Sequence, residues 1–134
     1  MKYRKGYKYQ LAEDEVFSFI GIVPGKDIVN DFISLFRDGM LIIHKGYAWD
    51  GPSGPTIDRK TNMRGSLAHD ALYQLMREGL IERKWRLKAD ELIKKCWIED
   101  GMYPWLAAVE TKALNSFAAY AADPRNTKEV YEAP

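Results

Sequence analysis

Cys96 is the only cysteine in 134 residues. Its isolation rules out an intramolecular disulfide, a secreted disulfide scaffold and a thiolate zinc site. It reads as a small buried side chain. Excess charge is also missing: Lys and Arg number 20 against 19 Asp and Glu. No long-range attraction therefore draws the chain to nucleic acid or an anionic membrane, and no nucleic-acid partner is expected. Long apolar runs are absent as well. The most apolar long segment, Pro104 to Ala122, is interrupted by Glu110, Lys112 and Asn115, and its alanine content suits a packing helix rather than a membrane span. The basic start Met1-Lys2-Tyr3-Arg4-Lys5 runs into Gln10, Glu13, Asp14 and Glu15, so it is not a signal peptide. A soluble protein is the expectation.

Apolar material is present in quantity: 46% of residues are hydrophobic and 13% aromatic. That is enough for one compact core at this length. The chain reads as a single α+β domain over residues 1–124, followed by a polar, mobile tail over 125–134. There is no internal repeat.

The first half reads as strands. Val16-Phe17-Ser18-Phe19-Ile20 is β-rich, Pro24-Gly25 signals a turn, and Phe32 to His44 forms a hairpin closed at Asp38-Gly39. An antiparallel sheet follows from this pattern. Tyr47 to Pro55 breaks it. The stretch Asp50-Gly51-Pro52-Ser53-Gly54-Pro55 suits neither a helix nor an interior strand, and reads as a structured loop.

The second half reads as three helices. Ser66 is the expected N-cap of the first, which runs to about Glu78 with Ala68, Ala71, Leu72, Leu75 and Met76 at helical spacing and Gly79 as its stop. After a charged link over 82–86, the second covers about Leu87 to Glu99. There Ala89, Leu92, Ile93, Cys96 and Trp97 make one apolar stripe. Pro104 suits the first turn of the third, which ends near Asp123-Pro124. Met102, Tyr103 and Trp105 are expected to seal a helix junction.

Chemistry concentrates between Tyr47 and Asp90. At about 100° per residue, His69 and Tyr73 lie close together on the first helix, with Asp70 next around. Asp90 flanks the stripe of the second helix. A short link favours antiparallel packing, which brings Asp90 toward His69 and Tyr73. A histidine held by a carboxylate is a general base. Asp70 would remain to bind a hard cation. Calcium suits it, because the loop before the helix can add carbonyl oxygens.

The run Tyr47-Ala48-Trp49-Asp50-Gly51-Pro52-Ser53-Gly54, then His69-Asp70-Ala71-Leu72-Tyr73, Gly79 and Ala89-Asp90, resembles the phospholipase A2 arrangement of calcium loop, His-Asp helix and Asp-bearing helix. The likeness is to the disulfide-free phospholipase domain of parvovirus capsids and covers about a third of the chain. It implies that His69 activates water. Asp70 would bind calcium together with loop carbonyls near Trp49, Gly51 and Ser53, while Tyr73 and Asp90 orient His69. Two residues depart from the pattern: Ser53 stands where that family favours glycine, and Asp50 adds a carboxylate able to bind the metal itself. The segment Gly46 to Pro55 with the two helices is also similar to a family of small uncharacterised bacteriophage and prophage proteins. That likeness implies a phage origin and a place in the host cytoplasm or the virion, whereas a phospholipid or membrane surface as partner is what the phospholipase likeness implies.

Two other functions stay open on the residues. His44, His69-Asp70 and Asp90 occur in the order of a His-Asp metal phosphohydrolase, although His44 falls on a strand rather than a helix. Alternatively the loop and helix form a non-catalytic interaction module. Read singly, Asp70 would pair with Arg64 or Arg77, and Asp90 would make an exposed pair with Lys94.

Overall fold

The computed structural model describes residues 2–3, 9–49, 61, 63–122 and 131–132, with side chains described over 9–49, 61 and 63–114. The architecture is α+β. Strands β1 (Lys2–Tyr3), β2 (Tyr9–Gln10), β3 (Glu15–Phe17), β4 (Ile28–Val29), β5 (Ile33–Leu35), β6 (Leu41–Ile43) and β7 (Ala48–Trp49) precede helices α1 (Met63–Arg77), α2 (Arg86–Glu99) and α3 (Pro104–Ala122), and β8 (Tyr131–Glu132) follows. Strands β3, β6, β5 and β4 form an antiparallel sheet in that order, while β2 pairs with β7 and β1 with β8. Within the tail expected to be mobile, Tyr131–Glu132 is thus a strand partner of the N-terminus.

Alternation sets the sheet's two faces. Ile33, Leu35, Leu41 and Ile43 point inward and are fully buried, and the register stacks Ile33 on Ile43 and Leu35 on Leu41 across the expected hairpin. Each such side chain contributes on the order of 1.5–3 kcal/mol by leaving water. The strand expected over 16–20 is shorter, because Phe19 adopts a left-handed backbone with φ 53°. The loop expected from Tyr47 does not take in Ala48 and Trp49, which form β7. Ala48 and Trp49 pair with Gln10 and Tyr9, and positions 50–55, which hold Asp50, Gly51 and Ser53, lie outside the described residues.

Helix α1 starts at Met63, so Ser66 lies within its first turn. The Ser66 hydroxyl donates back to the Met63 carbonyl at 2.8 Å. A serine one turn into a helix makes that bond to i−3 as readily as it caps, which is why the expected N-cap was misplaced. The C-terminus follows the sequence signal. Gly79 turns left-handed at φ 73°, with Leu80 N–H on the Leu75 carbonyl and Gly79 N–H on the Met76 carbonyl, the paired bonds of a Schellman cap. A short tight turn over Arg83–Trp85 leads into α2, whose expected stripe is buried throughout. Burial pushes the Cys96 thiol up to about 11, so it behaves as the apolar residue the sequence implied.

Helices α1 and α2 pack antiparallel: Gly65 lies against Ile93 and Trp97, while His69 and Tyr73, further along α1, meet Asp90, earlier on α2. Met102 is buried as expected at the next junction, but Tyr103 and Trp105 stand exposed. Among the described residues no helix is long and apolar enough to cross a membrane.

The α1–α2 contact is tightest at Gly65, where a Cβ would sit 2.8 Å from Trp97 Cδ1 and 3.0 Å from the Ile93 carbonyl. Gly65→Ala is expected to destabilise the fold by about 1–3 kcal/mol in urea unfolding. Gly25→Ala, which meets nothing within 4 Å, should leave the midpoint nearly unchanged.

Candidate active site

A carboxylate taken out of water must find donors where it is buried. Asp90 finds two on α1. Its Oδ1 accepts from His69 Nε2 at 2.8 Å and from the Tyr73 hydroxyl at 2.6 Å. The two α1 rings stand together, centroids 4.2 Å apart and tilted by 50°, as their i, i+4 spacing requires. His69 and Asp90 are each about 5% exposed and Tyr73 is 1% exposed. The expected exposed pair of Asp90 with Lys94 is therefore corrected: Asp90 faces the neighbouring helix. Asp90 Oδ2 is buried with no hydrogen-bond partner among the described residues.

The partner atoms assign the histidine's tautomer. Because Nε2 faces a carboxylate, it carries the proton, and Nδ1 keeps the lone pair. No described residue engages Nδ1. The arrangement can orient a base: Asp90 fixes the ring, while Tyr73 holds Asp90. Burial, with the hydrogen bond and negative charge of Asp90 adding to it, drives the Tyr73 hydroxyl's pKa far above the ordinary tyrosine value.

Asp70 is half-buried beside His69 on the next position of α1. The Tyr47 hydroxyl lies 3.1 Å from Asp70 Oδ2 and 3.0 Å from Gln74 Oε1, and its single proton serves one at a time. Arg64, one expected partner of Asp70, instead binds Asp100 at 3.1 Å and Glu99 at 3.4 Å. Trp49 packs inward. Its ring lies 5.5 Å from that of Tyr9, and its indole N–H donates to Ser66 Oγ at 3.3 Å, tying β7 to the first turn of α1. Leu11 N–H bonds the Tyr47 carbonyl at 2.7 Å, so ladder parity turns the Trp49 backbone toward Tyr9. The Trp49 carbonyl keeps one lone pair for a cation.

Calcium takes roughly six to eight oxygen ligands. The described residues offer donors of the right kind in Asp70 and the Trp49 carbonyl. The remaining loop donors, Asp50, Gly51 and Ser53, lie outside them. Among the described residues no group of three or more His, Cys, Asp or Glu is placed to hold a metal.

His44 does not join His69. It stands on the sheet's outer face with Nε2 2.9 Å from Ser34 Oγ and Nδ1 3.2 Å from Asp14 Oδ2. The ligand order that suggested a His-Asp phosphohydrolase is thus split between two faces of the sheet. The Lys45 backbone N–H, and then His44, hold the Asp14 carboxyl below its ordinary range. Sequence reasoning missed that network, and also the hold of Tyr47 on Asp70. Both join residues distant in sequence, which helical spacing does not report.

Comparison of the chain with protein-family models, with curated proteins and with solved structures gives no match.

Alkali provides a check on the buried network. A hydroxyl whose pKa is raised on folding adds stability below its unfolded pKa, about 10. That stability is lost as pH rises toward the folded value. Unfolding free energy should therefore fall above pH ~10, and Tyr73→Phe should flatten the fall while lowering stability at neutral pH by about 1–3 kcal/mol. Urea titrations at neutral and alkaline pH measure both.

Proposed function

We propose that this protein is a calcium-dependent, phospholipase A2-like esterase of phage type. The single observation that carries the reading is the convergence of His69 Nε2 and the Tyr73 hydroxyl on one buried oxygen of Asp90. That geometry leaves Nδ1 as the proton acceptor. In the proposed reaction, His69 Nδ1 takes a proton from water as the water oxygen bonds to the ester carbonyl carbon. Asp90 stabilises the imidazolium, and the same nitrogen returns the proton to the departing alcohol oxygen as the ester C–O bond breaks. In this reading Asp70 is the carboxylate that would hold calcium. When bound, the cation would supply positive charge against the negative oxygen that develops on the ester.

The surface supports a lipid substrate. Tyr103, Trp105 and Val109 are exposed by 69%, 66% and 58%, and amphipathic aromatics suit the boundary between water and lipid. They follow Gly101, whose Cβ position lies 3.7 Å from Thr61 at the approach to α1. The aromatic rim therefore begins close to Thr61, just before α1.

The burial of His69 and Asp90 favours a second reading, in which the network is a polar clamp inside a non-catalytic phage interaction module. Fatty-acid release from phospholipid vesicles, run beside calcium calorimetry, separates the two. Asp70→Asn should weaken calcium binding and hydrolysis together. His69→Asn should abolish hydrolysis with calcium binding retained, and Asp90→Asn should slow turnover by about 10²–10⁴-fold. Calcium binding without release from any vesicle would establish the module. A wild-type protein that binds no calcium at millimolar concentration would sink the phospholipase reading.

A further inference from the structure

Strand β3 lies at one margin of the sheet, and among the described residues only one of its two sides is paired. In the β5–β6 hairpin, Phe36 N–H bonds the Met40 carbonyl and His44 N–H bonds the Phe32 carbonyl. Residues 40, 42 and 44 therefore direct their backbone groups to β5, while Leu41 and Ile43 direct theirs to β3. In the register Glu15↔Ile43 and Phe17↔Leu41, Glu15 and Phe17 are the residues that bond β6. The backbone N–H and C=O of Val16, and the N–H of Ser18, turn the other way. Among the described residues no strand pairs with that edge.

An open edge normally carries a device that blunts it. Here a cleft of about 260 Å³ runs along it, walled by residues 16–20 on one side and by α2 on the other. The edge is also shaped. The Ile20 N–H bonds the Gly39 carbonyl at 3.0 Å, so three steps from Phe17 to Ile20 oppose two from Leu41 to Gly39, which is a β-bulge. Phe19 takes the left-handed position of that bulge at φ 53°, where glycine is the unstrained choice. Its ring is 73% exposed and lines the cleft. A strained backbone is thus spent on holding an apolar ring in water beside unpaired strand groups.

Charge on the α2 wall selects among extended ligands. Lys88 and Lys95 are two turns apart, about 10.5 Å along the helix, which is the reach of roughly three residues of extended chain. Lys88 is 3.7 Å from Glu91, and Glu99 pairs with Arg64. Lys95 has no carboxylate partner among the described residues. We propose that the cleft between β3 and α2 is a docking groove for an extended peptide segment of a partner protein, which adds as a strand to Val16 and Ser18, sets an apolar side chain on Phe19 and presents an acidic side chain to Lys95. Backbone bonds of this kind supply affinity, and side-chain pockets supply selectivity. The groove shares no residue with the His69 site, so it stands whether or not that site is catalytic.

The test uses the full chain and a library of fluorescein-labelled octapeptides that alternate apolar and polar residues, with Glu or Lys at one polar position. Saturable binding by Glu-containing members is expected, with the Val16 and Ser18 amides gaining protection from hydrogen exchange. N-methylation at alternate peptide positions should remove binding. Lys95→Glu should reverse the Glu-over-Lys preference, and Phe19→Gly, which relieves the strained φ and so is expected to fold, should weaken binding at least tenfold. No member binding below 1 mM, on the order of the weakest useful affinity, would overturn the proposal. So would binding indifferent to N-methylation, or concentration-dependent pairing of two copies through this edge.

Discussion

The buried carboxylate of Asp90 is the constraint around which the helical half of this protein is arranged. An ionised group inside a core is tolerated only when donors meet it there, and both of its donors come from the other helix. The depth, register and direction of α1 against α2 must therefore all be right at once. A small residue makes that approach possible. Gly65 is buried at the contact, where the indole of Trp97 leaves no room for another carbon. Removing one partner would strand a buried charge, whereas the paired set specifies a single packing of the two helices.

The same constraint underlies the proposed chemistry. Polar clamps in cores commonly exhaust the hydrogen-bonding capacity of their members, but here, among the described residues, the imidazole is engaged at one nitrogen only and Asp90 Oδ2 meets no donor. Such incomplete satisfaction concentrates at functional sites, where stability is traded for a poised group. Asp70 lies one residue away, on a helix turn facing Tyr47. The proposed base and the proposed cation carboxylate are thereby set by one rigid element, while β7 is anchored to the first turn of the same helix through Trp49 and Ser66.

The helical site was legible because its geometry is local. A period of 3.6 residues places Tyr73 above His69, the apolar stripe of α2 fixes which way Asp90 points, and a short link leaves antiparallel packing as the economical solution. The Asp38-Gly39 hairpin was legible for the same reason. What escaped was non-local or ambiguous. The pairing of Ala48–Trp49 with Tyr9–Gln10 joins segments almost forty residues apart, and glycine and proline nearby disguised it as loop. Ser66 carries a capping residue's chemistry one turn inside the helix. Phe19 occupies a left-handed position that sequence grammar assigns to glycine, so the bulge it forms, and the open edge beside it, could not be anticipated.

The claim that His69 is an oriented base rests on which nitrogen carries the proton, and nitrogen-15 NMR of the two imidazoles reads that directly. His44 serves as an internal contrast, since its carboxylate lies on Nδ1 whereas that of His69 lies on Nε2. With His44→Gln used for assignment, the account predicts a neutral His69 ring protonated at Nε2, with Nδ1 showing the shift of an unprotonated nitrogen, and a loss of that fixed tautomer in Asp90→Asn. A His69 ring protonated at Nδ1, or one exchanging freely between tautomers in the wild-type protein, would contradict it.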